Sequence, residues 1–375
     1  MRITEITACP VDLPYRRPWR ISGGAIVRAQ HVLIQIETDE GCYGVGEATP
    51  FPVAYAEETQ TTVLHVIQEY LRPALLGYDP FDQEIIDTAL AQAIPGHRLA
   101  KAGLDLAMHD LIGRALGLPV YKLLGGLYHR QVPIAFSIGI KSTAEMVEEA
   151  VSCVECGFAA IKLKIGHDPQ ADLEHVAAVR EAIGPRVTLR VDANEGYQSG
   201  EALPILRKME RFDLEYIEQP VPRWDLDGMA RLCTALDTPV AADESAFTPS
   251  DVLTLVKRQA ADLINVSPCK SGLRNSKRMA AIAEANGMNC VVGSMLEFGL
   301  GTAASLQFAS ATRNVTHACE LIGPLLLEGD ILVELVFSQL PATGYWMLPS
   351  GNGLGVTVDD RWTAGLAKDD DSSTR

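Results

Sequence analysis

From about residue 126 to residue 321 the chain repeats one pattern eight times: a short run of β-branched and apolar residues, a few polar residues, then an amphipathic stretch. The strand candidates are residues 132–139, 159–165, 187–193, 214–219, 240–244, 262–266, 290–294 and 316–321, and helical spacing fills 143–156, 172–183, 201–211 and 275–286. Strands alternating with helices imply a parallel sheet. Eight parallel strands close into a barrel, so the repeat predicts an α/β fold of the TIM type.

The flanking segments read differently. Residues 1–45 alternate apolar and polar positions, as in Arg2-Ile3-Thr4-Glu5-Ile6, with Gly41 and Gly44 as turn punctuation. They predict an antiparallel meander. Residues 57–116 then switch to helical spacing (Val63, Val66, Ile67, Tyr70, Leu71), which makes residues 1–125 an α+β capping domain ahead of a 126–340 barrel. Residues 341–367 read as turn and strand returning to the first domain, and the polar end 368–375 reads as disordered. Composition narrows the partners. The 375 residues carry a net charge of −16, which disfavours nucleic acid and anionic membranes, and no uncharged apolar run approaches the ~20 residues of a bilayer span. The start MRITEITACP lacks a leader pattern and the eight cysteines are scattered, so the expectation is a reducing cytoplasm.

Charged residues interrupt the predicted buried strands. Lys162 and Lys164 lie two apart on one strand and therefore point to one side, which in a closed barrel is the interior. Asp192, Glu218 and Asp243 each stand at the C-terminal end of a strand, spaced by 26 and 25 residues, or one βα unit apiece. That end is the catalytic rim of such barrels. Any one of these acids is better read as a solvated or salt-bridged residue, but three in register on neighbouring staves would repel strongly. A hard divalent cation, Mg²⁺ or Mn²⁺, removes that repulsion. The lysines could form a structural ion pair with the same acids; alternatively, neighbouring cations and a metal lower a lysine pKa, and the neutral amine is a general base.

At these residues the chain resembles the enolase superfamily, and within it the mandelate racemase/muconate lactonizing enzyme family. The resemblance rests on Lys162-Leu-Lys164, Asp192-Ala-Asn194, Glu218-Gln-Pro and Ala242-Asp243-Glu244-Ser, with Leu104-Asp105-Leu-Ala-Met-His-Asp110 and Leu123-Leu-Gly-Gly upstream. It implies a modified (β/α)₇β barrel with an α+β cap. It also implies Mg²⁺ on Asp192, Glu218 and Asp243, Lys164 as acid/base, Lys162 on the substrate carboxylate, and Asn194 and Glu244 orienting the ligands. The implied reaction removes a proton α to a small carboxylate, giving a metal-stabilised enediolate, in an isomerase that is a homo-oligomer.

Ser267 departs from the pattern, because the lactonizing-type subgroup carries a lysine there. Two-base inversion loses its second base, whereas one-base cycloisomerisation or lyase chemistry by Lys164 survives. Lys270 could substitute, although its odd spacing from Ser267 turns it away in a regular strand. Ser294 stands where a racemase of the mandelate type would have histidine. Glu297 matches a carboxylate that lactonizing enzymes place there, aimed at substrate or Ser267, and Glu320 occupies an acid position of dipeptide epimerases, whose second acid is here Ile322. His317 reads as a structural histidine placed at the rim. Ile21, Phe51 and Tyr55 belong to cap loops expected to close over the mouth and line the pocket. The competing readings are a Schiff-base lyase using Lys162 or Lys164 and a metal-stabilised binding protein without catalysis. Cys153 and Cys156 read as packed thiols, and Gly351-Asn-Gly-Leu-Gly is no dinucleotide fingerprint, since no βαβ unit follows.

Overall fold

The computed structural model describes residues 1–54, 57–158, 160–337 and 344–363. Tyr55, Ala159 and the 368–375 end lie outside the described residues.

The alternating N-terminal segment forms a three-stranded antiparallel sheet of β1 (Ile3–Ile21), β2 (Gly24–Thr38) and β3 (Tyr43–Ala48), in the order β1-β2-β3. Its inward residues, Ile6, Val32, Ile34 and Ile36 among them, are buried together with Leu104, Ala107, Met108 and Leu111 of the helix Arg98–Leu116. That helix lies directly on β3. A Cβ on Gly44 would stand 2.3 Å from the Ala107 carbonyl oxygen, so only glycine permits the approach. A register shift between Pro14 and Trp19 kinks the top of the β1–β2 hairpin.

The eightfold repeat forms a parallel sheet in the order β5 (Ala135–Ile138), β6 (Ala160–Lys164), β7 (Thr188–Asp192), β8 (Leu214–Glu218), β9 (Val240–Ala242), β10 (Leu263–Asn265) and β11 (Asn289–Val291). The expected eighth strand, 316–321, is not a regular strand. The Ala135 amide donates to the Cys319 carbonyl (2.8 Å) and the Cys319 amide to Pro133 (2.7 Å), while the Glu320 amide donates to Val292 (2.8 Å). This stave bonds both its neighbours through single bridges, Ile134 with Cys319 and Cys290 with Val315, and the barrel is closed.

The expected first strand is split. β4 (Gln131–Pro133) pairs antiparallel with β12 (Tyr345–Met347), so the returning tail is stitched to the foot of the barrel before it reaches the cap. There the Leu354 amide donates to Asp110 Oδ1 of the cap helix (2.8 Å). Period-two parity sends Ile161, Leu163, Leu189, Val191 and Ile217 outward into the buried layer under the helices. The same parity sends Lys162, Arg190 and Asp192 inward, and all three are buried. Sharp starts help set each βα unit: Ser142 and Thr248 make capping boxes for the helices Thr143–Glu155 and Pro249–Arg258. Among the described residues no helix is long and apolar enough to cross a membrane.

Candidate active site

The three acids occupy neighbouring staves. Asp192 ends β7, Glu218 ends β8 in direct register with it, and Asp243 follows β9 by one residue. All three are buried. Lys162 Nζ lies between two of them, 2.9 Å from Asp192 Oδ2 and 2.8 Å from Glu218 Oε1, and 2.6 Å from Glu320 Oε2. Lys164 Nζ donates to Asp192 Oδ2 at 2.6 Å. Residues Pro268–Ser271 form a helical turn, so strand parity stops at Ser267 and Lys270 swings back inward. Its ammonium donates to the Asp243 carbonyl (2.9 Å) and pairs with the Asp243 carboxylate. The outward orientation expected of Lys270 is thus corrected.

These pairings set the electrostatics. Burial disfavours the charged form of Lys162, but Asp192, Glu218 and Glu320 outweigh it and hold its pKa well above the ordinary value. Carboxylates are thus the immediate neighbours of Lys162 when no cation stands among them. Burial raises Asp192, yet Lys162 and Lys164 bring its pKa well below the usual carboxylate range. Glu218 goes the other way: burial, with Asp192, Glu320 and Asp243 against Lys162, raises it well above that range. Burial together with Asp243 and Asp192 pushes Glu244 up to about 8, although the Asn194 amide donates to its Oε1 at 2.9 Å.

Five carboxylates (Asp192, Glu218, Asp243, Glu244 and Glu320) thus face three ammonium groups (Lys162, Lys164 and Lys270) in a buried site. Glu218 Oε2 and Glu244 Oε2 have no hydrogen-bond partner. Acids on adjacent staves that burial and mutual repulsion keep from ionising, with oxygens left unsatisfied, are what a hard cation relieves, so the donor set fits Mg²⁺ or Mn²⁺. Among the described residues no three such side chains yet meet in a ligating cluster. Lys162 pairs with Asp192 and Glu218, and Lys270 with Asp243.

The remaining candidates separate into two groups. Ser267 is buried at the mouth with its Oγ unpartnered. Ser294 Oγ donates to Glu297 Oε2 (2.9 Å), which also accepts from the Met295 amide (2.7 Å). Glu297 therefore does not bond Ser267. Its stem packs beside Gly301 and Cys269, near Glu47, which accepts from the Phe298 and Gly301 amides and fastens the cap to the barrel helix Gly299–Ser310. Ile21, the last residue of β1, and Phe51, in the loop after β3, are both buried in the cap. Ser22 Oγ donates to the Asn194 carbonyl at 2.8 Å, and Arg223, paired with Glu195, donates to Ala54 at 2.5 Å, so both cap loops rest on the mouth. His317 is not at the rim. It bonds Glu215 at 3.0 Å, beside the start of β8 and so at the opposite end.

Sequence reasoning missed several residues here. Ser137 is in register with Lys162 and has an unpartnered Oγ, and Asn265 Nδ2 donates to Glu218 Oε1 at 3.0 Å. Arg190 and Tyr216 fill the interior two residues below Asp192 and Glu218; the same period-two rule that placed the lysines would have found them. Asn194, Glu195, Gln219 and Leu296 have φ of 41°, 67°, 32° and 56°, left-handed values at non-glycine residues just past stave ends.

A closed parallel barrel under an α+β cap, with acids and lysines gathered at the ends of successive staves, defines an enzyme that works at the strand C-termini. Residues 3–125 match the family described as Mandelate racemase / muconate lactonizing enzyme, N-terminal domain, and residues 145–362 match Enolase C-terminal domain-like. An L-Ala-D/L-Glu epimerase of Clostridium acetobutylicum is 34% identical over 89% of this chain and 93% of its own. A chloromuconate cycloisomerase of Cupriavidus pinatubonensis is 34% identical over 96% of each chain. The crystal structure of an N-succinyl Arg/Lys racemase from Bacillus cereus superposes with a TM-score of 0.92 at 32% identity, covering 98% of both chains. The chain belongs to the mandelate racemase/muconate lactonizing enzyme family of the enolase superfamily, and is an enzyme of its isomerase class.

Proposed function

We propose that this isomerase moves a proton at the α-carbon of a small carboxylate on one face only, while a ring C–O bond at the neighbouring carbon is made or broken, with Lys164 as its main acid/base. The observation that carries the reading is the placement of Lys164 beside Asp192, on the stave next to Glu218 and one further from Asp243. Asp192, Glu218 and Asp243 would hold Mg²⁺, and Asn194 and Glu244, bonded to each other, would orient that set. When bound, the ion supplies positive charge where the substrate carboxylate gains negative charge. Lys162, buried in the middle of the barrel, holds that carboxylate. Lys164 in its neutral form would take the α-proton onto Nζ as the ring C–O bond breaks, and in the reverse direction its ammonium would deliver the proton to the same face as that bond forms.

Ser267 decides among the family's reactions. A hydroxyl cannot serve as the second base of a stereoinversion near neutral pH, and Lys270 is engaged with Asp243. Cycloisomerisation, which needs one base, is therefore favoured over two-base racemisation. The reading divides the chain into a cap of residues 1–125, a barrel of 126–340 and a returning segment of 341–367, in a homo-oligomer. The test is incubation in D₂O with Mg²⁺ and a library of muconates, dipeptides and N-succinyl amino acids. Deuterium enters an α-carbon with the native chain and not with Lys164→Ala; absence of exchange with every member refutes the proposal.

A further inference from the structure

The barrel axis carries a column of alternating charge below the site. At its foot His317 bonds Glu215, and Glu215 pairs with the Arg190 guanidinium. Arg190 Nη1 donates to the Tyr216 hydroxyl at 3.2 Å and to the Ala318 carbonyl at 2.7 Å, with its guanidinium 4.8 Å from the centre of the Tyr216 ring. Tyr216 in turn donates to Glu320 Oε1 at 3.0 Å, and Glu320 Oε2 accepts from Lys162. Arg190, Tyr216, Glu320 and Lys162 are all buried.

The three acids around Lys162 are not equivalent. Asp192 and Glu218 end staves at the mouth, and Glu218 Oε2 has no partner. Glu320 alone is fastened from below, by Tyr216 and, at 4.0 Å, by Arg190. An ammonium group has three donors, and in this structure three carboxylates take them. A divalent cation arriving at Asp192 and Glu218 competes with Lys162 for the same oxygens. The lysine must then keep a partner elsewhere, because a buried ammonium without one is strongly disfavoured.

We infer that Glu320, anchored by Tyr216 and Arg190, is the fixed seat of Lys162: a positioning residue that retains the ammonium and so releases Asp192 and Glu218 to a divalent cation. This rests on the metal reading proposed above. Without that seat, Lys162 stays locked on the two mouth acids and opposes the ion.

The experiment is a Mn²⁺ titration of the full chain followed by electron paramagnetic resonance, which reads binding rather than turnover. Glu320→Gln is expected to weaken Mn²⁺ binding about tenfold or more, and Tyr216→Phe about threefold in the same direction. In a Lys162→Met background the effect of Glu320→Gln should fall to about twofold or less, since the competing ammonium is gone. Equal Mn²⁺ affinity of native protein, Glu320→Gln and Tyr216→Phe overturns the inference. So does an undiminished loss in the Lys162→Met background, which would make Glu320 a bare charge. If Glu320→Gln does not fold, Tyr216→Phe with and without Lys162→Met decides alone. A native chain that binds no Mn²⁺ overturns the metal reading together with this one, whereas additive effects on a chain that does bind overturn this one only.

Discussion

Two walls of the same barrel mouth are built from different chemistry. The wall of β6 to β9 presents Lys162, Lys164, Asp192, Glu218 and Asp243, lysines set against acids in paired contacts. The facing wall, beyond β10 and β11, presents Asn265, Ser267 and Ser294, with hydroxyl and amide groups in place of ions. Its carboxyl, Glu297, is fully buried, and burial with help from Glu47 pushes it up to about 7, so a large share of it is neutral at physiological pH. Lys270, in the turn just past the end of β10, is tied across to Asp243. On the proposed reading, the contrast makes proton traffic at this mouth one-sided: one wall carries the lysine proposed as base, and the other offers hydroxyl, amide and buried carboxyl groups.

The strongest way to break the contrast is to remove the base. Lys164→Ala should lower α-proton exchange by about 10³-fold, within the range attributed to general acid–base groups, while its unfolding free energy stays within ~1 kcal/mol of native. Retained exchange in D₂O would show that the charged wall is not where the proton goes. The converse change, Ser267→Lys, places an amine on the neutral wall. Products that leave the native enzyme with one configuration should then emerge with inverted material raised by about tenfold or more, read by chiral chromatography.

A third measurement sharpens the comparison through pH. The folded pKa of Glu297 lies above the ordinary glutamate value of about 4.3, so the protonated form favours the fold. Its contribution is complete below about 4, shrinks as pH rises and is lost above about 7. Urea unfolding of Glu297→Gln should lack about 2 to 3 kcal/mol of the native decline between those limits. Asp330, which burial pushes up to about 6, remains among the neighbours that titrate in both proteins. A native slope preserved in the variant would assign the decline to those neighbours. The smallest effect belongs to Ser267→Ala. With no partner for Oγ in the structure, the change should cost at most a few-fold in kcat/KM, about 1 kcal/mol or less.

Much of this was legible in the sequence because it obeys a period. The βα repeat follows from strand and helix spacing, and the acids at neighbouring stave ends follow from the 26- and 25-residue intervals. What was hidden breaks a period or depends on long-range contact. Lys270 points inward because Pro268–Ser271 turns helical where strand parity would have aimed it out. The eighth stave bonds through single bridges, so 316–321 mimics a strand in composition without being one. His317 lies at the foot because its partner, Glu215, opens β8. Which acids Lys162 would meet, and hence the direction of its pKa, depended on Glu320, 158 residues away in the chain. Ser137, Arg190 and Tyr216 share the inward alternation, but as hydroxyl and guanidinium groups they carry no metal-ligand or base signature in the sequence.

The returning tail has a consequence for how the protein is made. Asp110, buried in the cap helix, accepts from Val45 and Leu354 and pairs with Arg114. One of those amides comes from the last tenth of the chain, and the strand Tyr345–Met347 that completes the foot of the barrel comes only slightly earlier. A ribosome emits residues one at a time, so the domain at the front of the chain waits, incompletely bonded, until Leu354 has been made. Nascent chains released short of residue 354 should be degraded rather than accumulate half-built.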